Sequence, residues 1–241
     1  MEDTISLRDV IGRLFGRDEG PGEDFSALEV YGRGDHDRAM RIFTGIIAEP
    51  GRVPPEELVM VYYLRGRIHS LNGRLDAAID DYSKAIERDP SYAGARVALG
   101  NLYFEKGQFE LAGAEFDNAI RYDPQNSEAF HGRGAVCLSK GHTDKAIADF
   151  SRAIELGRDM ADSYACRANA FGRSKLWNEC IADYDEALAR APGSAGWLYF
   201  RGLAHEMTGA TEKARNDYAK ALEMDPGHLN AADAVRRLSG S

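Results

Sequence analysis

The chain has 241 residues, 44% of them hydrophobic, and carries Lys+Arg 30 against Asp+Glu 39. That is enough apolar material to bury a substantial core, so disorder is not the default reading. The net charge of −9 opposes non-specific binding to nucleic acid, which needs clustered cations to neutralise phosphates, so no nucleic-acid partner is expected.

Residues 1–24 open the chain. Leu7, Val10, Ile11, Leu14 and Phe15 recur at helical spacing, with Asp9, Gly12 and Arg13 opposite, which predicts a short amphipathic helix over 4–15. A helix of about a dozen residues is marginal alone in water, so this one is expected to dock. The run GRDEGPGED, Gly16 to Asp24, is a Gly/Pro/acid linker. An acidic start without an uninterrupted apolar run predicts neither a signal peptide nor a membrane span, and the expected compartment is the cytoplasm. The polar face lacks the Lys/Arg excess of a membrane-surface helix. Docking in cis, docking on a partner and a homo-oligomer through this helix all stay open.

Residues 25–58 form a degenerate first repeat, in which Gly34, Ala39 and Phe43 mark the pattern that follows. The loop from Glu49 to Pro55 is expected to be longer than the other connections, because Ala39 and Ala78 are 39 residues apart. From Val59 to His228 the chain then repeats five times with a period of 34 residues. Counting Val59 as position one, Gly66, Gly100, Gly134, Ala168 and Gly202 share position eight. Gly73, Gly107, Gly141, Lys175 and Gly209 share position fifteen, and Tyr82, Phe116, Phe150, Tyr184 and Tyr218 share position twenty-four.

Between these markers the apolar spacing is helical, so each unit reads as two helices. The glycine at fifteen suits the left-handed residue that ends the first helix, and an Asp-Pro pair stops the second. Small residues at eight beside the aromatic at twenty-four let the helices approach closely. One such hairpin cannot bury its apolar face, so neighbours must stack. Residues 229–241 close the chain as a capping helix, with Leu229, Ala232, Val235 and Leu238 expected to face inward.

The period and the glycine, alanine, aromatic and proline positions resemble the tetratricopeptide repeat family over Val59 to His228, with Gly157, Arg158 and Lys175 as departures in and before the fourth unit. The resemblance implies an all-α, right-handed α-solenoid of stacked helix-turn-helix repeats that binds protein or peptide segments. It also implies that positions two, five, six, nine, twelve and thirteen of each first helix line a concave groove. On this chain the resulting groove residues are Tyr63, Arg67, Val97, Asn101, Phe104, His131, Leu138, Asn169, Arg173, Tyr199, Phe200 and Met207. Members that clamp the acidic C-termini of heat-shock chaperones use a Lys/Asn/Arg set. Of the matching positions here, Val97, Asn101, Gly132, Asp162 and Cys166, only Asn101 agrees, so that partner is not expected.

Catalytic patterns are missing from this sequence. The Gly-Arg-Gly runs at Gly32–Gly34 and Gly132–Gly134 follow no strand pattern, so they are not phosphate loops. Cys137, Cys166 and Cys180 are odd in number and lack CxxC spacing, which predicts neither disulfide nor zinc site, and Cys137 and Cys180 fall at core positions. His69 and His205, at position eleven, read as hydrogen-bonded packing residues. Arg65, Arg133, Arg167 and Arg201 at position seven are each matched sixteen residues later by Asp81, Asp149, Asp183 and Asp217, which predicts an ion pair across the hairpin or between repeats. The expectation is a non-enzymatic adaptor without cofactor or metal, gripping a partner's segment in its groove. The alternative is a self-associating building block whose groove or ends are filled by copies of itself.

Overall fold

The computed structural model describes residues 27–50, 54–157 and 161–239, so the expectations for residues 1–24 lie outside it. The described residues form thirteen helices and no strand. In chain order these are α1 (Ala27–Gly32), α2 (His36–Ala48), α3 (Pro55–Leu71), α4 (Leu75–Arg88), α5 (Ala93–Glu105), α6 (Phe109–Tyr122) and α7 (Ser127–Ser139). They continue with α8 (Thr143–Leu156), α9 (Ala161–Arg173), α10 (Trp177–Arg190), α11 (Ala195–Met207), α12 (Thr211–Met224) and α13 (Leu229–Ser239). The chain divides into two compact units, Met1–Gln108 and Phe109–Ser241. In the first, α1 packs on α2, α2 on α3, α3 on α4 and α4 on α5. In the second, each helix from α6 to α13 packs on the next. Each unit therefore has the architecture of an α-solenoid, with antiparallel hairpins laid one on another.

The repeat frame sets the helix bounds. The helices α5, α7, α9, α11 and α13 all begin at position one of the frame, whereas α3 starts four residues early at Pro55. The extra residues expected in the loop before the first regular repeat thus partly add a turn of helix. Pro55 has no N–H to leave unpaired at a helix start, and Glu56 and Glu57 complement the positive end of the dipole.

Within the hairpins the turn is the same every time. Gly73, Gly107, Gly141, Lys175 and Gly209 have φ of 69°, 71°, 78°, 60° and 79°. In the first of them the Gly73 N–H donates to Ser70 O at 2.9 Å and the Arg74 N–H to His69 O at 2.9 Å, and the other four repeat both bonds. This pairing satisfies the last carbonyls of a helix only if the residue after the cap is left-handed. Lys175 holds that conformation without glycine's freedom.

The hairpins then close on a small residue. A Cβ at Gly66 would lie 2.7 Å from Tyr82 Cε1, one at Gly134 2.9 Å from Phe150 Cδ1, and one at Gly202 2.8 Å from Tyr218 Cε1. In the fourth repeat the fully buried Ala168 replaces glycine and packs with Cys180 and Tyr184. Burial pushes the Cys180 thiol up to about 11, as expected of a small hydrophobe in a core. Cys137, by contrast, is only half-buried.

Beside this contact the predicted arginine pairs all form, and each is a two-toothed fork. Arg65 donates from Nε and Nη2 to Asp81 at 2.8 and 2.7 Å, and Arg133 to Asp149 at 2.9 and 2.7 Å. Arg167 reaches Asp183 at 2.7 and 2.8 Å, and Arg201 reaches Asp217 at 2.8 and 2.6 Å. The bonds to the aspartates raise all four guanidinium pKa values. The third nitrogen does what the spacing did not predict and reaches position twenty-five of the preceding repeat. Arg133 Nη1 meets Asp117 at 2.8 Å, Arg167 Nη1 meets Ser151 Oγ at 2.9 Å and Arg201 Nη1 meets Asp185 at 2.6 Å. One arginine therefore ties its own hairpin to its neighbour.

The last helix departs from expectation. Leu229 is 77% exposed, and the residues α13 buries are Ala231 and Ala234, with Val235 and Leu238 packed beside Tyr218. It is held from the other side by Arg237, which donates from Nη2 to Glu206 at 2.8 Å, while Tyr218 donates to the same carboxylate at 2.9 Å.

Three substitutions test this packing. Lys175→Gly removes a left-handed lysine and should stabilise the chain by about 1 kcal/mol in urea unfolding. Asp217→Ala leaves a largely buried guanidinium short of its partner and should cost about 3 kcal/mol. Asp185→Ala, which removes a partner 57% exposed on the same arginine, should cost about 1 kcal/mol or less.

Candidate functional site

The predicted groove residues sort into three groups. Arg67, Asn101, Arg173, Phe200 and Met207 are exposed, and Tyr63, Phe104, His131, Asn169 and Tyr199 are half-buried. Val97 and Leu138 are 3% and 8% exposed and present no surface to a ligand. Both therefore leave the groove set, and the Leu138 side chain sits among Ala146, Phe150 and Ala170, so it belongs to the joint between successive repeats.

Position five explains the half-buried aromatics. Tyr63 meets the ring of Tyr92 edge-on at 5.2 Å, and Tyr199 meets the ring of His228 at 5.0 Å. Tyr92 and His228 both precede the next first helix, so a ring at position five fills the seam and shows one edge on the first-helix face.

In the first unit that face carries one cation above aromatic rings. Arg67 lies one turn beyond Tyr63 on α3, and its guanidinium carbon stands 5.9 Å from the Tyr63 ring and 5.8 Å from the Tyr31 ring. No carboxylate of the described residues pairs with it. The half-buried Tyr92 donates to Met60 Sδ at 3.6 Å, and burial pushes its hydroxyl up to about 12. Sequence reasoning missed Tyr31. The signal was present, because counting back from Gly34 as position fifteen puts Tyr31 at position twelve, a groove position.

In the second unit the face is more apolar. Phe200 is 44% exposed and stacks on Tyr184 at 6.4 Å and 11°, and Met207 is 55% exposed. Asn169 and Arg173 lie one turn apart on α9, and Arg173 donates from Nη1 to the carbonyl of Leu138 at 3.0 Å. At the C-terminal end the carboxylate of Glu206, at position twelve, is already taken by Arg237 and Tyr218. Among the described residues no group of His, Cys, Asp and Glu is placed to hold a metal ion, and no helix is long and apolar enough to cross a membrane.

Family models described as TPR repeat or tetratricopeptide repeat match residues 66–107, 100–141, 127–159 and 167–228. No curated protein matches the chain. Among solved structures the chain is similar to YrrB, described as a TPR protein with an unusual peptide-binding site, at 25% identity and a TM-score of 0.65, covering 80% of this chain and 97% of that one. It is also similar to MamA, at 25% identity and a TM-score of 0.62, over 70% of this chain and 93% of the other. The Pseudomonas aeruginosa pilF protein shares the fold at 17% identity, with a TM-score of 0.74 and coverage of 86% and 92%.

Three histidines of the repeats, His69, His131 and His205, titrate against burial. His131 is hydrogen-bonded through Nδ1 to the fully buried Ser163 at 2.7 Å, and burial lowers its pKa. His69 and His205 are lowered for the same first reason. Contrary to expectation, His69 Nδ1 is buried without a hydrogen-bond partner among the described residues, and its Nε2 lies 3.9 Å from Asp81 Oδ2. An unfolded histidine takes up a proton near its ordinary value of about 6.5, whereas these resist it in the folded chain. The unfolded state therefore binds more protons below that pH, and stability, complete above it, should fall as the pH drops from 7 towards 5. Urea midpoints across that range should show the fall, and His131→Gln should flatten it.

Proposed function

We propose that this chain, which belongs to the tetratricopeptide repeat family, is a non-enzymatic adaptor that holds a segment of a partner protein on the first-helix face of its repeats. The family and its structural neighbours support a protein-interaction scaffold. The observation that carries the finer reading is the exposure of Phe200 and Met207 on that face, at 44% and 55%, in a repeat whose Trp197, Tyr199 and Tyr218 are spent on packing. Aromatic and flexible apolar side chains at a surface are the usual anchors for a bound segment, with polar groups such as Asn169 and Arg173 beside them to orient its backbone. Similarity to YrrB, itself described as peptide-binding, supports the same reading.

Selection of random peptides displayed on phage tests it. The chain should enrich a family of related sequences, and Phe200→Ala should weaken a selected peptide at least tenfold without changing the helical content. No enrichment, or a peptide that binds equally well without Phe200, would overturn the reading. Light scattering separates the alternative: a building block whose groove is filled by copies of itself should grow in mass with concentration, whereas the adaptor should not.

A further inference from the structure

Arg67 is an exposed cation among aromatic rings. The four arginines at position seven each fork onto an aspartate, whereas Arg67 at position nine has, among the described residues, the ring faces of Tyr31 and Tyr63 at 5.8 and 5.9 Å and no paired carboxylate. Met60 and Tyr92 continue the apolar floor and join the core of the first unit. A positive rim over an aromatic floor suits a segment that is apolar on one side and bears carboxylates.

The chain carries such a segment next to this site. Residues 1–24 hold seven carboxylates against three arginines, together with Leu7, Val10, Ile11, Leu14 and Phe15. They enter the first unit at α1, whose Tyr31 is one of the two rings under Arg67. The residues between Phe15 and Ala27 span at most about 40 Å, and Tyr31 is only about 6 Å along α1 from Ala27, so the tether reaches. A short tether also gives an effective concentration of the order of millimolar, which favours the attached segment over one from a second copy in dilute solution.

We infer that residues 4–15 lie in cis on the Tyr31, Tyr63 and Arg67 face of the first unit, with a carboxylate of residues 1–24 paired to the Arg67 guanidinium. A partner segment must displace them to use that face. The docking stands on the site and the segment alone, and only its consequence for partner binding rests on the adaptor reading.

The test uses the full chain with the photocrosslinking residue p-benzoylphenylalanine in place of Leu14, irradiated at low micromolar concentration. The expected product has the mass of one chain and joins position 14 to peptides containing Tyr31, Tyr63 or Arg67. Arg67→Glu should lower its yield at least fivefold with the melting temperature unchanged. Products only at twice the chain mass, crosslinks confined to the second unit, or a yield indifferent to Arg67→Glu would overturn the inference. A labelled synthetic peptide of residues 1–18 provides a second readout. It should bind the Leu7→Glu, Ile11→Glu, Leu14→Glu triple variant at least tenfold more tightly than the parent chain, and lose that binding when Arg67→Glu is added. Equal binding to parent and variant would contradict cis docking. If these tests fail while phage-selected peptides still require Phe200, only this inference falls; if Phe200 proves irrelevant while the crosslink forms, the adaptor reading falls and the docking stands.

Discussion

The close approach of a position-eight backbone to a position-twenty-four ring governs the regular hairpins. No side chain fits between Gly66 and Tyr82, Gly134 and Phe150, or Gly202 and Tyr218, where an added Cβ would come within 2.9 Å of ring carbons. Closely packed interiors relax little around such a contact, so the separation of the two helices is set there. Everything adjacent inherits that setting. Position seven stands next to eight and position twenty-three next to twenty-four, so the contact that closes the hairpin also levels the arginine with its aspartate. The turn residue at fifteen, equidistant from both, completes the frame.

The arginines convert a local register into one that passes between repeats. Each is planar and presents its donors in a fixed fork, so two nitrogens can lock an inward aspartate while the third points to the preceding hairpin. The inner half of this arrangement is dry, with Asp81 and Asp217 at 1% and 2% exposure, and its outer half is wet, with Asp117 and Asp185 well exposed. Buried ion pairs of this kind add little net stability over apolar packing and serve chiefly to fix one arrangement. In a chain of near-identical hairpins, where a slipped stack would bury almost the same area, such a fixed arrangement excludes the alternatives.

The repeating elements were legible in the sequence because a solenoid copies its constraints. Five turns, three hairpin contacts and the partners of four arginine–aspartate pairs could be read from spacing alone. What escaped was whatever a single copy does differently. The additional turn of α3 depends on Pro55, whose effect is local and has no counterpart in the other repeats. The frame position of Leu138 faces the groove, yet Ala170 of the next repeat covers it, and the frame of one unit cannot show what its neighbour brings. Tyr31 was overlooked because its repeat is degenerate and lacks a recognisable first half. The third arginine contact is hidden in the sequence because sixteen residues separate the arginine from both partners, one in each direction, and the forward aspartate alone satisfies the pattern.

On the proposed function, the copied polar groups are architecture and the uncopied side chains on the first-helix face, Arg67, Phe200 and Met207 among them, are the means of binding a partner. Crosslinking followed by mass spectrometry, on complexes captured through this chain from its native cell, measures that division directly. Partner crosslinks should concentrate on α3, α5, α9 and α11, at residues on the first-helix face. Partner crosslinks concentrated instead on α4, α8, α10 and α12, or crosslinks only between copies of this chain, would contradict it.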